Sequence, residues 1–117
     1  MNPITEVKKQ MQQEPEHWQI PFMDFVEDFR RYKDASAIAI PYKVNDEKID
    51  ALLAAAIEYL CHEQHMEVPD WLSNIPACQH PWFVAGIENL KAIALVESPL
   101  EFRIRKIFVL ENFLDRV

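Results

Sequence analysis

The residue types best suited to chemistry in this chain fall within twenty positions: Cys61, His62, His65, Cys78 and His80. Zinc takes thiolate and imidazole ligands in tetrahedral sets, usually from pairs two to five residues apart. Cys61 and His65 stand at i, i+4, one turn apart on a helix face, and Cys78-Gln79-His80 lies between Pro76 and Pro81 in a segment able to fold back on them. A small zinc-dependent enzyme built on Cys61, His65, Cys78 and His80 is therefore one reading. The plainer reading makes Cys61 a small core residue and leaves the histidines in water near a helix end, where cations are favoured. On that reading neither metal nor cofactor is expected. His62-Glu63-Gln64-His65 sets its histidines three apart rather than the four of a metalloprotease helix, so it is not that motif.

Other catalytic constellations are missing. With one glycine, Gly86, the chain has no phosphate-cradling loop, no dinucleotide turn and no nucleophile elbow. Serine occurs only at 36, 73 and 98, and Ser98 reads as a helix cap. Asp46, Asp50, Glu58 and Glu63 are spread along one helix, where general acid–base work would need burial to split a pair of pKa values. Glu58 follows an apolar run and reads as a solvated edge. The expectation is a protein that is not an enzyme and has no catalytic residues.

The elements that must position these groups read as helical. Eight prolines against one glycine punctuate the chain the way helices do, because proline begins and ends them while tight hairpins want glycine. Ile4, Val7 and Met11 give residues 3–14 an amphipathic period closed by Pro15. Residues 21–33 start with Pro21 and place Phe22, Phe25, Val26 and Phe29 on one stripe. Residues 35–44 lack periodicity and read as an extended connector. The strongest element is 46–66: Asn45 as cap, Asp46 and Glu47 at the positive dipole end, and an apolar face of Ile49, Leu52, Leu53, Ala56, Ile57 and Leu60. A further helix is expected from Pro81 to Glu97, with Ile87, Leu90, Ile93 and Ala94 inward. Gly86 within it either admits a close neighbour or marks a later start at Ile87. Ser98-Pro99-Leu100-Glu101 matches the capping box, with Glu101 reaching back, so a helix should begin at 99. Ile104, Ile107, Phe108 and Val109 favour strand geometry beyond it. A final turn spans 111–116.

The totals agree with one ordinary domain. The chain has 117 residues, half of them hydrophobic and 26% charged, which suits a packed globule rather than a disordered chain. The longest apolar run, Ala51 to Ile57, is far shorter than the ~20 residues of a membrane span. No secretory signal is visible at the N-terminus and two cysteines are too few for a disulfide framework, so a cytoplasmic setting is expected. The net charge of −7 argues against nonspecific phosphate binding and suits a basic partner. Residues 1–66 carry twelve acids against seven bases, and residues 67–117 seven against five. Glu14, Glu16, Asp24, Glu27 and Asp28 read as a solvated face, with a docking surface for a basic partner as the alternative. Trp71, Trp82 and Phe83 either roof the core or anchor a partner, the role tryptophan often plays at interfaces.

Pro69-x-Trp71, Pro81-Trp82-Phe83 and the closing Ser98-Pro99-x-x-Phe102-Arg103-x-Arg105-x-Ile107-Phe108-Val109 together resemble a group of uncharacterised bacterial proteins ending in a "PWF…SPxxFRxRxIFV" module. The resemblance covers residues 46–117. Such modules often stand beside nucleotidyltransferase-like proteins in pairs that look like toxin–antitoxin systems, and some carry a helix-turn-helix ahead of the module. This chain has no basic recognition helix in its acidic first 44 residues. The resemblance therefore implies an antitoxin-like protein that binds the product of a neighbouring gene rather than an operator.

The expected architecture is a compact all-α bundle of five or six short helices in one domain, 1–117. Acidic helices and a connector occupy 1–44, the family-like module 45–117, and the C-terminal tail packs on the central helix. Trp71, Trp82, Phe83, Arg103, Arg105 and Lys106 are the expected partner-binding residues of a protein-interaction module. A nucleic-acid-binding regulator using Arg103, Arg105 and Lys106 is the third reading, with nucleic acid the less favoured partner. A homodimer is also compatible. The tail's arginine stems can cover apolar surface with their heads wet, and its simplest use is pairing with the protein's own acids.

Overall fold

A computed structural model of the protein describes residues 1–115. Among them five α-helices run in the order α1 (Ile4–Gln13), α2 (Gln19–Tyr32), α3 (Glu47–Glu63), α4 (Lys91–Glu97) and α5 (Leu100–Arg103). Two-residue strands β1 (Trp82–Phe83) and β2 (Ile107–Phe108) pair in parallel, Trp82 opposite Ile107 and Phe83 opposite Phe108. The fold is an all-α single-domain bundle, as the periodicities predict. Its Cα radius of gyration is 13.4 Å, matching the roughly 13 Å of a compact domain of this length.

Helix α3 is the axle. Ala51 to Ile57 are all buried, as are Leu60 and Cys61. A helix apolar on every side must be surrounded, and four alanines in seven residues let its neighbours come close. Phe22, Phe25, Val26 and Phe29 of α2 and Ile4, Val7 and Met11 of α1 supply the opposing surface. Leu72, Ile75, Phe102, Ile107, Val109 and Leu114 close it from the C-terminal side. Residues 1–44 and 45–115 thus share one core.

Local details depart from expectation, each for an identifiable reason. Helix α2 begins at Gln19, two residues before Pro21, because the first-turn N–H groups need no intrahelical acceptor and proline is tolerated there. It ends with Lys33 in the left-handed region (φ 49°), whose N–H donates to the Phe29 carbonyl at 2.8 Å. Residues 35–44 are not simply extended. Asp34 Oδ1 accepts from the Ser36 N–H and hydroxyl, at 3.0 and 2.6 Å, and nucleates a 3₁₀ turn at Ala35–Ile38.

The cap of α3 is Asp46, whose Oδ1 accepts from the Ile49 N–H, and not Asn45. Asn45 is drawn instead to a buried ion pair. Lys8 Nζ lies 2.6 Å from Asp50 Oδ1 and donates to Asn45 Oδ1 (2.7 Å) and the Lys43 carbonyl. Asp50 Oδ2 accepts from the Asn45 and Asp46 N–H groups, both at 2.8 Å. The Tyr42 hydroxyl donates to the Asp50 carbonyl, and burial with the nearby Asp50 charge pushes the phenol well above its ordinary pKa. The ammonium is held by the Asp50 charge and by two hydrogen-bond acceptors, Asn45 Oδ1 and the Lys43 carbonyl, which is what lets such a charge stay inside.

The helix expected from Pro81 to Glu97 is the largest correction. Trp82–Phe83 are strand, Gly86 turns the chain at φ 68° with its N–H donating to the Phe83 carbonyl, a 3₁₀ turn covers Glu88–Leu90, and only Lys91–Glu97 is α-helical. β-Strand pairing with the tail overrides the helical period. Ser98 does not cap α5: its hydroxyl donates to the Ala94 carbonyl and accepts from the Val109 N–H (2.8 Å), stitching the end of α4 to the tail. Glu101 correspondingly reaches His62 (2.9 Å) instead of back toward Ser98. Helix α5 is a single turn beginning at Leu100. Turn geometry at 111–114 agrees with the expected final turn, whose last position, Arg116, lies outside the described residues.

Candidate interaction surface

The five candidate zinc ligands do not converge. Cys61 lies in the last turn of α3 and His65 just past its end, whereas the Gln79 N–H donates to Glu47 Oε1 at 2.6 Å and so fixes Cys78-Gln79-His80 at the opposite end. Residues 47 and 61 are separated by about 21 Å at 1.5 Å per residue. No group of three or more His, Cys, Asp or Glu that could hold a metal ion occurs among the described residues. Burial, with Glu58 nearby, raises the Cys61 thiol to about 11; burial, with Glu47 nearby, raises Cys78. Both are thiols in apolar surroundings, the opposite of an activated nucleophile. His65 and His80 are exposed.

The basic tail is mostly spent inside the molecule. Arg105 is buried; its Nη1 donates to Glu58 Oε1 at 2.7 Å and to the Glu101 carbonyl at 2.8 Å. Glu58 is therefore a half-buried ion-pair partner rather than a solvated edge. Arg103 is exposed, yet its Nε and Nη2 donate to the carbonyls of Ser98 (2.6 Å) and Val96 (2.7 Å), clamping the end of α4 against α5. Lys106, left-handed at φ 60°, points its ammonium toward the Gln79 carbonyl. Further along, Arg30 of α2 grips Glu63 in a two-point contact (2.8 and 3.0 Å) and donates to the Leu114 carbonyl (2.8 Å). Burial alone would raise the Glu63 carboxyl, but the hydrogen bonds from Arg30 and Gln64 and the Arg30 charge hold it below the ordinary range.

The expected aromatic anchors are half-buried and already engaged. Trp71 donates its indole N–H to the Ile38 carbonyl (2.9 Å) and meets Tyr42 edge-on at 5.2 Å. Trp82 lies 6.2 Å from Trp18, with Lys48 Nζ 5.4 Å from its ring centroid. Phe83 stacks on Phe108 at 5.0 Å, extending the strand pair on one face. Comparison with protein-family models, curated proteins and solved structures finds no match.

What the fold leaves uncovered is apolar and lies elsewhere. Ile87, Ile93, Leu95, Val96, Leu100 and Ile104 are all exposed, Val96 at 75% and Leu100 at 69%. In α4 only Ala94 is buried. Ile93 and Val96 fall at i, i+3 on α4, and Leu100 and Ile104 stand at the start of α5 and just past its end, so both elements leave aliphatic side chains in water. The Arg103 clamp ties the end of α4 to α5 between these residues. Large aliphatic side chains left exposed so close together in the chain are the kind of surface that marks an interaction site.

Expectation had turned Ile87 and Ile93 inward, and the structure reverses both. One signal was available in the sequence: Ala92-Ile93-Ala94-Leu95-Val96 is an unbroken apolar run. Five consecutive helical residues sweep more than a full turn, so such a run on a short surface helix must present apolar groups outward.

Proposed function

We propose that the protein is a non-catalytic interaction module, antitoxin-like in action, that restrains a partner protein by laying the apolar surface of α4 and α5 against it. The observation that carries this reading is the set of six large aliphatic residues between positions 87 and 104 that the fold leaves in water. Occlusion of the partner's working surface is the mechanism, and no bond is made or broken. The resemblance of the "PWF…SPxxFRxRxIFV" segment to modules paired with nucleotidyltransferase-like neighbours supplies the candidate partner, the product of the adjacent gene in a bacterial cytoplasm. Arg103, Arg105 and Lys106 act chiefly in cis on this view, since their heads meet internal acceptors. That weighs against the phosphate-binding alternative, which needs such heads free.

Co-expression with a tagged copy of the adjacent gene product tests the proposal. Retention of the wild-type chain, lost in Val96→Ser/Leu100→Ser at unchanged thermal stability, is the expected result. Failure to form any complex removes the antitoxin-like reading, and retention undiminished in the double variant removes α4 and α5 as the docking surface.

A further inference from the structure

A second surface, chemically unlike the first, is built where the 35–39 turn faces the segment 67–71. Ala35, Ile38, Ala39, Val68, Pro69 and Trp71 form an apolar trough of about 460 Å³, and Glu67 and Asp70 stand on its rim. Both carboxylates are exposed, and none of the described residues lining the trough is Lys or Arg. Its floor is rigid. The Trp71 indole N–H is fixed on the Ile38 carbonyl at 2.9 Å and the ring is held edge-on by Tyr42, so this tryptophan is set in place before anything binds. Asp34, next along the chain, has its carboxylate committed to Ser36.

We propose that this trough receives an arginine on an apolar stretch of a partner polypeptide. A side chain suited to it would combine a greasy stem for the apolar lining, a cation that can lie against Trp71, and donors for the Glu67 and Asp70 carboxylates. Arginine joins all three, because its guanidinium stacks on indole and presents donors in a fixed fork. Lysine offers the charge without the plane. A chain of net charge −7 also steers basic segments toward itself. A preset tryptophan lowers the ordering cost of binding.

The test is a titration of the intact ¹⁵N-labelled protein with acetyl-Leu-Arg-Leu-amide, acetyl-Leu-Lys-Leu-amide and acetyl-Leu-Glu-Leu-amide, followed by amide and indole cross-peaks. The arginine peptide should shift the Trp71 indole N–H and the amides of residues 67–71 saturably, the lysine peptide more weakly and the glutamate peptide not at all. Glu67→Gln and Asp70→Asn should each weaken the arginine peptide about two- to fivefold, the range of exposed charge pairs. Shifts that do not saturate, equal response to the glutamate peptide, or an affinity unchanged in the Glu67→Gln/Asp70→Asn double variant would overturn the proposal. So would the same peaks moving with protein concentration alone, which would assign the trough to a second copy of the chain. The outcome is independent of the α4–α5 surface, which this experiment does not touch.

Discussion

Replacing Lys8 by Met keeps the length and greasy stem of the side chain and removes only the ammonium. That ammonium lies 2.6 Å from Asp50 Oδ1, with the two side chains 5% and 0% exposed. Losing it leaves a fully buried carboxylate held only by the Asn45 and Asp46 N–H groups, and strips a donor from the Lys43 carbonyl and from Asn45 Oδ1. Breaking one side of a buried ion pair costs about 3–5 kcal/mol. The two surviving backbone bonds to Asp50 keep the cost at the lower end, so about 3 kcal/mol is expected. For a domain of this length that lowers Tm by about 10 °C, at roughly 3–4 °C per kcal/mol. Urea unfolding followed by circular dichroism gives the number, with Lys9→Met on the exposed side of α1 as control. Combining Lys8→Met with Asp50→Asn should cost less than the sum of the single changes, by about 1–3 kcal/mol, because the second change removes the charge the first had orphaned. A Lys8→Met cost under about 1 kcal/mol, or strict additivity, would show that the pair is not what joins α1 to the start of α3.

Gly86→Ala should destabilise by about 1 kcal/mol through its φ of 68° alone, since nothing lies within 4 Å of the added carbon; a much larger loss in urea unfolding would mean that the turn holds more than a conformation. Val96→Ser in the isolated protein should change stability by less than about 0.5 kcal/mol, as for other exposed positions, and a core-like loss of 2 kcal/mol would remove it from the free surface. Cys61, raised to about 11 from an ordinary 9.0, should react with a thiol reagent at pH 8 at least about 100-fold more slowly than in the unfolded chain; equal rates would contradict its burial. The Glu63 carboxyl is depressed in the folded state, so its contribution is present above its ordinary pKa of 4.5 and is lost as pH falls below that value. Glu63→Gln should therefore flatten the acid limb of the stability–pH curve, and an unchanged acid limb would show that the Arg30 contact carries no net stability.

The helices were legible in the sequence wherever one face had to be buried: the Phe22, Phe25, Val26 and Phe29 stripe and the Leu52-to-Leu60 face each state their own period. Partners distant along the chain were not legible. Nothing near Lys8 announces a buried cation, because its acceptors come from 43, 45 and 50, and nothing near Glu58 announces Arg105. The 81–97 segment misled because Trp82 and Phe83 pair with residues 25 positions later, a contact that no local period encodes. Ser98-Pro99-x-Glu101 matched a capping pattern in letters, but the Val109 N–H and the Ala94 carbonyl competed for the same hydroxyl and won it. At the candidate surface the failure was one of default: apolar residues were assigned inward, although the Ala92–Val96 run leaves a short helix no way to hide them all.

The grip of Arg30 on the carbonyl of Leu114 spans 84 positions, and it sets an order of events during synthesis. The second helix emerges from the ribosome long before the residues that complete its surroundings, so Phe22 waits without Phe113, and Glu58 without its arginine. Until residues 102–114 have been made, the central helix lacks Phe102, Ile107, Val109 and Leu114, the side chains that seal that flank of the interior.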